Sequence, residues 1–77
     1  MKIVYDSDKD ILQISFKQTI VEETTQIATG LVLDYDEDGK VIGLELRNAS
    51  KKVDNPYEML YLVAQANENK PLAKVNE

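Results

Sequence analysis

The stretch from Leu31 to Leu46 reads LVLDYDEDGKVIGLEL, and its pattern decides the fold. Apolar residues alternate with other residues on both sides of Asp-Gly, and such alternation is typical of half-buried β-strands. Asp38 and Gly39 suit a two-residue hairpin turn, because glycine adopts positive φ at little cost. The stretch therefore predicts a β-hairpin. A two-residue turn places these apolar side chains on one face: Leu31, Leu33, Tyr35, Ile42, Leu44 and Leu46.

The same stretch also matches the ligand pattern of an EF-hand calcium loop. Asp34, Asp36 and Asp38 stand at the first ligand positions, with Gly39 at the turn and Glu45 at the bidentate position. An EF-hand loop lies between two helices, whereas strand patterns flank this one. In the hairpin register an extended strand separates Glu45 from Asp38, so one ion cannot bind both. We therefore predict no metal site, with weak calcium binding at residues 34–38 as an alternative.

Composition limits the classes of function. The chain has 77 residues, a net charge of −5, and neither histidine nor cysteine. The usual zinc ligands and most nucleophile–base pairs are therefore missing, so we expect no enzyme, no catalytic residue and no cofactor. An acidic chain repels phosphate, which argues against nucleic acid as a partner. No apolar run approaches the ~20 residues of a membrane span, so no membrane is expected. The lack of cysteine fits a reducing, cytoplasmic environment.

An earlier segment predicts a second hairpin. Its apolar face comprises five alternating residues: Ile3, Tyr5, Leu12, Ile14 and Phe16. The turn between them carries Asp6, Asp8 and Asp10, which we expect to accept local backbone hydrogen bonds rather than to hold a cation. Residues 21–27 are rich in β-branched and charged residues but weakly apolar, and this predicts an edge strand.

A helix is predicted over residues 57–67. Asn55 suits the cap position, Pro56 the first helical position and Glu58 the capping box. Apolar residues cover more of the circumference than the about 100° that packing on one sheet requires. The excess predicts a surface for a partner, unless the helix lies deep in its own core. The expected interface residues are Tyr57, Met59, Tyr61, Leu62, Val63 and Ala66.

Together these elements predict an α+β fold. An antiparallel β-meander of about four to five strands carries one C-terminal helix packed on its apolar face. The length predicts one small domain over residues 1–70, followed by a flexible tail over residues 71–77.

The hairpin residues also carry a resemblance to a known family. The residues concerned are Met1-Lys2-Ile3, Tyr5-Asp6, Asp10-Ile11-Leu12, Ile14, the run from Leu33 to Leu46, and Asn48-Ala49-Ser50. Over about residues 1–50 the chain resembles domain-of-unknown-function family 2283, a family of small prokaryotic proteins. The resemblance implies a small β-rich domain, often encoded alone, without an established activity or cofactor. Such genes can sit beside small toxin-like genes, which implies an antitoxin-like role as an alternative.

Three functional hypotheses are therefore open. We favour a non-enzymatic protein-interaction module that self-associates, most simply as a homodimer, through the apolar helix surface or an open sheet edge. In the second hypothesis Asp34, Asp36 and Glu45, on the polar face of the second hairpin, bind a small basic toxin. In the third, the protein is an enzyme or a calcium protein, with Asp34 and Glu45 as its only carboxylate pair on one face.

Overall fold

The fold is all-β in the computed structural model, which describes residues 1–65. All five strands belong to one antiparallel sheet in the order β1-β2-β5-β4-β3. The elements have the bounds β1 Lys2–Asp6, β2 Ile11–Ser15, β3 Glu23–Ala28, β4 Leu31–Tyr35 and β5 Val41–Arg47, followed by a 3₁₀ turn at Ala49–Lys51. The predicted tail over residues 71–77 lies outside the described residues.

The predicted meander is wrong, because β5 lies between β2 and β4. Strands β3, β4 and β5 are joined by hairpins, and the long connection from β2 to β3 completes a Greek key. Two backbone hydrogen bonds hold this connection across the end of the sheet. Phe16 N–H donates to the Ile42 carbonyl at 2.8 Å, and Glu22 N–H donates to the Tyr35 carbonyl at 2.8 Å.

The predicted pairings are confirmed where side-chain alternation determines them. Leu33 pairs with Leu44 and Leu31 with Leu46 in the second hairpin. The first hairpin pairs its apolar residues in the same way, Ile3 with Ile14 and Tyr5 with Leu12. The weakly apolar strand lies at a sheet edge as β3, which confirms the predicted edge strand.

The prediction of a two-residue turn at Asp38-Gly39 is wrong. Asp36 N–H donates to the Lys40 carbonyl at 2.9 Å, so the loop is longer than Asp38-Gly39. The register shifts by one after Asp34, and Tyr35 pairs with Val41 instead of Ile42. The Asp36 carboxylate accepts the N–H groups of Asp38 and Lys40, both at 2.9 Å, and these bonds stabilise the wider turn.

The predicted C-terminal helix, and with it the α+β class, is also wrong. Residues 57–65 contain no helix, and none of the chain's described helical segments is long and apolar enough to cross a membrane. The capping bonds do form, since Asn55 Oδ1 accepts Tyr57 N–H at 3.0 Å and the Asn55 carbonyl accepts Glu58 N–H at 3.1 Å. A helix as short as the predicted one is marginal without tertiary packing, and the side chains after Tyr57 are exposed and so do not supply that packing.

Candidate interaction surface

One face of the sheet carries eight apolar side chains that alternate along four strands. This surface, here called the apolar face, is formed by Ile3, Tyr5, Leu12, Ile14, Leu31, Leu33, Leu44 and Leu46. All eight are half-buried or exposed. Among the described residues the only buried hydrophobics are Val32, Ile42 and Ala49, and none of them belongs to this set of eight. The register shift leaves Ile42 without a partner in β4. Residues 1–65 therefore form a single layer whose apolar side lacks the second layer that domains normally have.

The chain returns to this face after the 3₁₀ turn, and residues 56–65 are here called the returning segment. The Tyr57 ring contacts Tyr5 edge to face, with ring centroids 5.1 Å apart and an interplanar angle of 84°. Between this returning segment and the sheet lies a cleft of about 910 Å³. Its apolar lining includes Ile3, Tyr5, Leu12, Pro56, Met59 and Leu60. The returning segment thus covers one margin of the apolar face, beside β1.

The structure places five of the six predicted interface residues on this returning segment, and not on a helix. They are highly exposed, from 51% for Met59 to 77% for Tyr57 and Leu62, with Tyr61 and Val63 between. Ala66 lies outside the described residues. Tyr57 is joined to the sheet by its contact with Tyr5, so the segment begins next to the edge strand β1. Their role as an interface stays a prediction.

A polar cluster that the sequence patterns do not predict lies at the end of the first turn. Asp10 has a positive φ of 57° there. Its carboxylate accepts hydrogen bonds from Tyr5 Oη at 2.7 Å, Ser50 N–H at 2.8 Å and Ser50 Oγ at 2.7 Å. Its carbonyl accepts Ala49 N–H at 3.0 Å. Asp10 therefore clamps the 3₁₀ turn to the first hairpin and directs the chain back over the sheet.

These hydrogen bonds shift the pKa values of Asp10 and Tyr5 further away from neutral pH. The Ser50 hydroxyl, followed by Tyr5, lowers the pKa of the Asp10 carboxyl. The hydrogen bond to Asp10 raises the pKa of Tyr5 to about 12. At neutral pH Asp10 is therefore a carboxylate and Tyr5 a neutral phenol, and these constant protonation states suit a structural role. One feature of the sequence does point to this cluster: Tyr5, Asp10 and Ser50 are all among the residues that carry the family resemblance.

One further aspartate in each turn, Asp6 and Asp36, accepts hydrogen bonds from the backbone. Asp6 Oδ1 accepts Asp8 N–H at 3.0 Å and Lys9 N–H at 3.1 Å, which confirms the predicted local hydrogen bonding for Asp6. The Asp10 carboxylate instead accepts the N–H of the distant Ser50. In the second turn the Lys40 N–H lowers the pKa of Asp36. Within residues 1–65 no three metal-ligating side chains cluster together, and strands flank the acidic turn of residues 36–40.

Asp34 and Glu45 lie on the polar face as the register predicted, but they face different partners. Thr24 Oγ1 donates to Asp34 at 2.7 Å. Glu45 accepts Arg47 Nε at 2.8 Å and Gln13 Nε2 at 3.3 Å, and Arg47 lowers its pKa. Each carboxylate thus contributes to cross-strand or local bonding of the sheet surface. Binding of a basic toxin or of calcium by these residues stays a prediction.

The fold and this surface define a small β-domain made of one antiparallel sheet with an open apolar face. The chain belongs to the family described as protein of unknown function (DUF2283), whose pattern matches residues 2–50. The match includes the whole sheet and the hydrogen-bonded residues Tyr5, Asp10 and Ser50, and it ends before the returning segment.

The chain is also similar to a curated protein. An uncharacterised protein of Methanocaldococcus jannaschii is 34% identical over 61 residues, which make up 78% of this chain and 52% of the relative. The chain therefore spans about half the length of that relative. No solved structure matches the chain.

Proposed function

We propose that this protein is a non-enzymatic interaction module that self-associates, most simply as a homodimer, through its apolar face and residues 57–63. The observation that carries the proposal is the apolar face, whose eight apolar side chains on four strands are half-buried or exposed and which residues 1–65 cover only beside β1. Large exposed apolar patches on small domains mark interaction sites, because water solvates such surface poorly.

The apolar face and residues 57–63 together offer an area close to that of a standard dimer interface. The strands have five to seven residues. With strands ~4.8 Å apart and a rise of ~3.3 Å per residue, the sheet has a footprint of roughly 400 Å². The accessible area of protruding side chains exceeds their footprint, and the exposed segment 57–63 adds to it. Together they approach the ~800 Å² per partner of a standard interface.

The non-enzymatic part of the proposal is supported by how the carboxylates are used. The best-placed acidic groups accept hydrogen bonds that hold turns or neighbouring strands together, as Asp10, Asp36 and Glu45 do. All three have a lowered pKa. A general acid at neutral pH needs a raised carboxyl pKa, so these groups suit structure better than proton transfer.

Light scattering coupled to size-exclusion chromatography tests self-association. The wild-type protein is expected at twice its chain mass of 8.7 kDa, with dissociation on dilution. Leu62→Glu places a charge on an exposed side chain of the returning segment and should weaken the dimer without harming the fold. Gln18→Glu, which adds the same charge in the β2–β3 connection, serves as the control. A wild-type protein that stays monomeric at millimolar concentration would contradict the proposal.

A further inference from the structure

The two edges of the sheet differ in how well they can accept another strand. β3 carries a register irregularity between Gln26 and Ala28, and such bulges protect an edge. β1 pairs regularly with β2 along all five of its residues and contains neither a bulge nor proline. On its outer side no described residue pairs with it. β1 is therefore the edge at which a further strand can add.

The sequence of this edge is self-complementary. β1 reads Lys2-Ile3-Val4-Tyr5-Asp6, with opposite charges at its two ends and valine at its centre. We propose that β1 pairs antiparallel with β1 of a second copy about a twofold axis at Val4. The two sheets then form one sheet of ten strands. The inference rests on the proposed self-association alone. It places the contact between the copies at this edge and at residues 57–63, and the two apolar faces then lie side by side.

Charge complementarity selects this alignment. Pairing centred on Val4 places Lys2 opposite Asp6 of the second copy, and it does so twice because of the symmetry. A parallel alignment would instead bring the two copies of Lys2 together. An antiparallel alignment shifted by two residues would set each charge against valine or beyond the strand end. Opposite charges across a strand pair stabilise a sheet and like charges destabilise it.

The same alignment continues the apolar face from one copy into the next. Ile3 and Tyr5 lie on the apolar face, and the proposed pairing sets Ile3 opposite Tyr5 of the second copy. Pairs of an aromatic and a β-branched residue are favourable across antiparallel strands. Ile3 and Val4 are 39% and 41% exposed in the single chain, and the added strand would cover both. Val4 would meet its own copy on the polar face.

The returning segments of the two copies would also lie close together at this junction. Tyr57 packs against Tyr5, so residues 57–63 of each copy start beside the proposed twofold axis. Met59 and Leu60 line the cleft above Ile3 and Leu12, next to the same edge. Edge pairing therefore brings together the exposed apolar residues of both copies. Pairing of β1 with β1 closes at two copies, whereas pairing of β1 with β3 would propagate into a fibre.

Two charge reversals test the pairing. Lys2→Glu sets a carboxylate opposite Asp6 at both ends of the junction, and Asp6→Lys sets two ammonium groups opposite each other at both ends. Sedimentation equilibrium should show that each variant dimerises about tenfold more weakly than wild type, since exposed charge pairs have modest energies. An equimolar mixture restores both attractions, so native mass spectrometry should show heterodimers at near wild-type affinity.

Matched controls come from the adjacent turn. Lys9→Glu and Asp8→Lys make the same charge changes at exposed positions outside β1 and should leave the dissociation constant within about twofold of wild type. Asp6 also accepts turn hydrogen bonds, so circular dichroism must show that Asp6→Lys folds. If it does not fold, Asp6→Asn keeps the acceptor, and adding it to Lys2→Glu should strengthen the dimer relative to Lys2→Glu alone.

The outcomes separate this inference from the proposed function. A wild-type dimer that both charge reversals leave unchanged would overturn β1 pairing and leave self-association through the apolar face standing. A mass that grows beyond two copies would overturn the closed geometry. A wild-type monomer at all concentrations would overturn both proposals.

Discussion

The side chain of Asp34 occupies the space above Gly43 on the adjacent strand. Its Oδ2 atom lies 3.0 Å from the position that a β-carbon on Gly43 would take, and its own β-carbon lies 3.5 Å from that position. The two residues are direct partners in the β4–β5 register, and Thr24 holds the same carboxylate from the other side. The missing side chain at position 43 is therefore what allows Asp34 to bridge to β3.

The first prediction concerns this contact. Gly43→Ala should destabilise the domain by about 1 kcal/mol, because the added methyl group displaces Asp34 from Thr24. In an Asp34→Ala background the same change should become neutral or stabilising by about 0.5 kcal/mol, since alanine is preferred to glycine within a strand. Urea unfolding of the four proteins measures the cycle. Equal effects of Gly43→Ala in both backgrounds would show that Asp34 is not the obstacle.

A second prediction tests the clamp between the first hairpin and the 3₁₀ turn. Asp10→Ala removes the acceptor of three hydrogen bonds and places alanine at a φ of 57°, so the melting temperature should fall clearly. Asp8→Ala, in the exposed part of the same turn, should leave it unchanged. Thermal denaturation followed by circular dichroism compares the two. Similar melting temperatures for both variants would mean that the clamp does not contribute to stability.

A third prediction concerns acid. The pKa of Asp10 is lowered below its ordinary value of 3.8 by Ser50, so its contribution to stability is present above that value and is lost as the pH falls through the lower, folded-state value. Wild-type stability should therefore be flat from about pH 5 to 7 and should decline below about pH 4. Asp10→Asn should flatten part of that decline. The measurement is urea unfolding at a series of pH values, and an equally steep decline in Asp10→Asn would contradict the assignment.

A fourth prediction concerns alkali. The pKa of Tyr5 is raised from 10.0 to about 12, so the hydrogen bond to Asp10 stabilises the fold below pH 10 and is lost as the pH rises through 12. Ultraviolet titration of the chain's four tyrosines should show one late phenolate step. Tyr5→Phe should remove this step. A titration in which Tyr5→Phe lacks one of the early steps instead would contradict the raised pKa.

A fifth prediction separates folding from association within the returning segment. Tyr57→Ala removes the aromatic contact with Tyr5 and should destabilise the single chain by about 1 kcal/mol. Tyr61→Ala, at a side chain that is 70% exposed, should leave the stability of the single chain unchanged but weaken the dimer. Unfolding at low protein concentration and sedimentation at high concentration provide the two measurements. Equal dimer affinities of Tyr61→Ala and wild type would exclude Tyr61 from the interface.

Local sequence determined the hairpins of this protein. Alternation placed Ile3, Tyr5 and Leu12 on one face, and it paired Leu33 with Leu44, because the side-chain period of a strand is two residues and a slip would expose the whole set. Glycine at position 39 marked the second turn for the same kind of local reason, its φ being 77°. The family resemblance rested on these local features and is confirmed.

Only the tertiary structure decided how those hairpins are joined and how the chain continues after β5. Pairing of β2 with β5 depends on contacts between distant segments, and alternation is equally consistent with other strand orders. The hydrogen bonds between Asp10 and Ser50 likewise cannot be predicted from either local segment alone. The predicted helix does not form, for the converse reason. Asn55 provides a correct cap, but a short helix propagates only when its side chains pack, and the side chains from Met59 to Val63 stay more than half exposed.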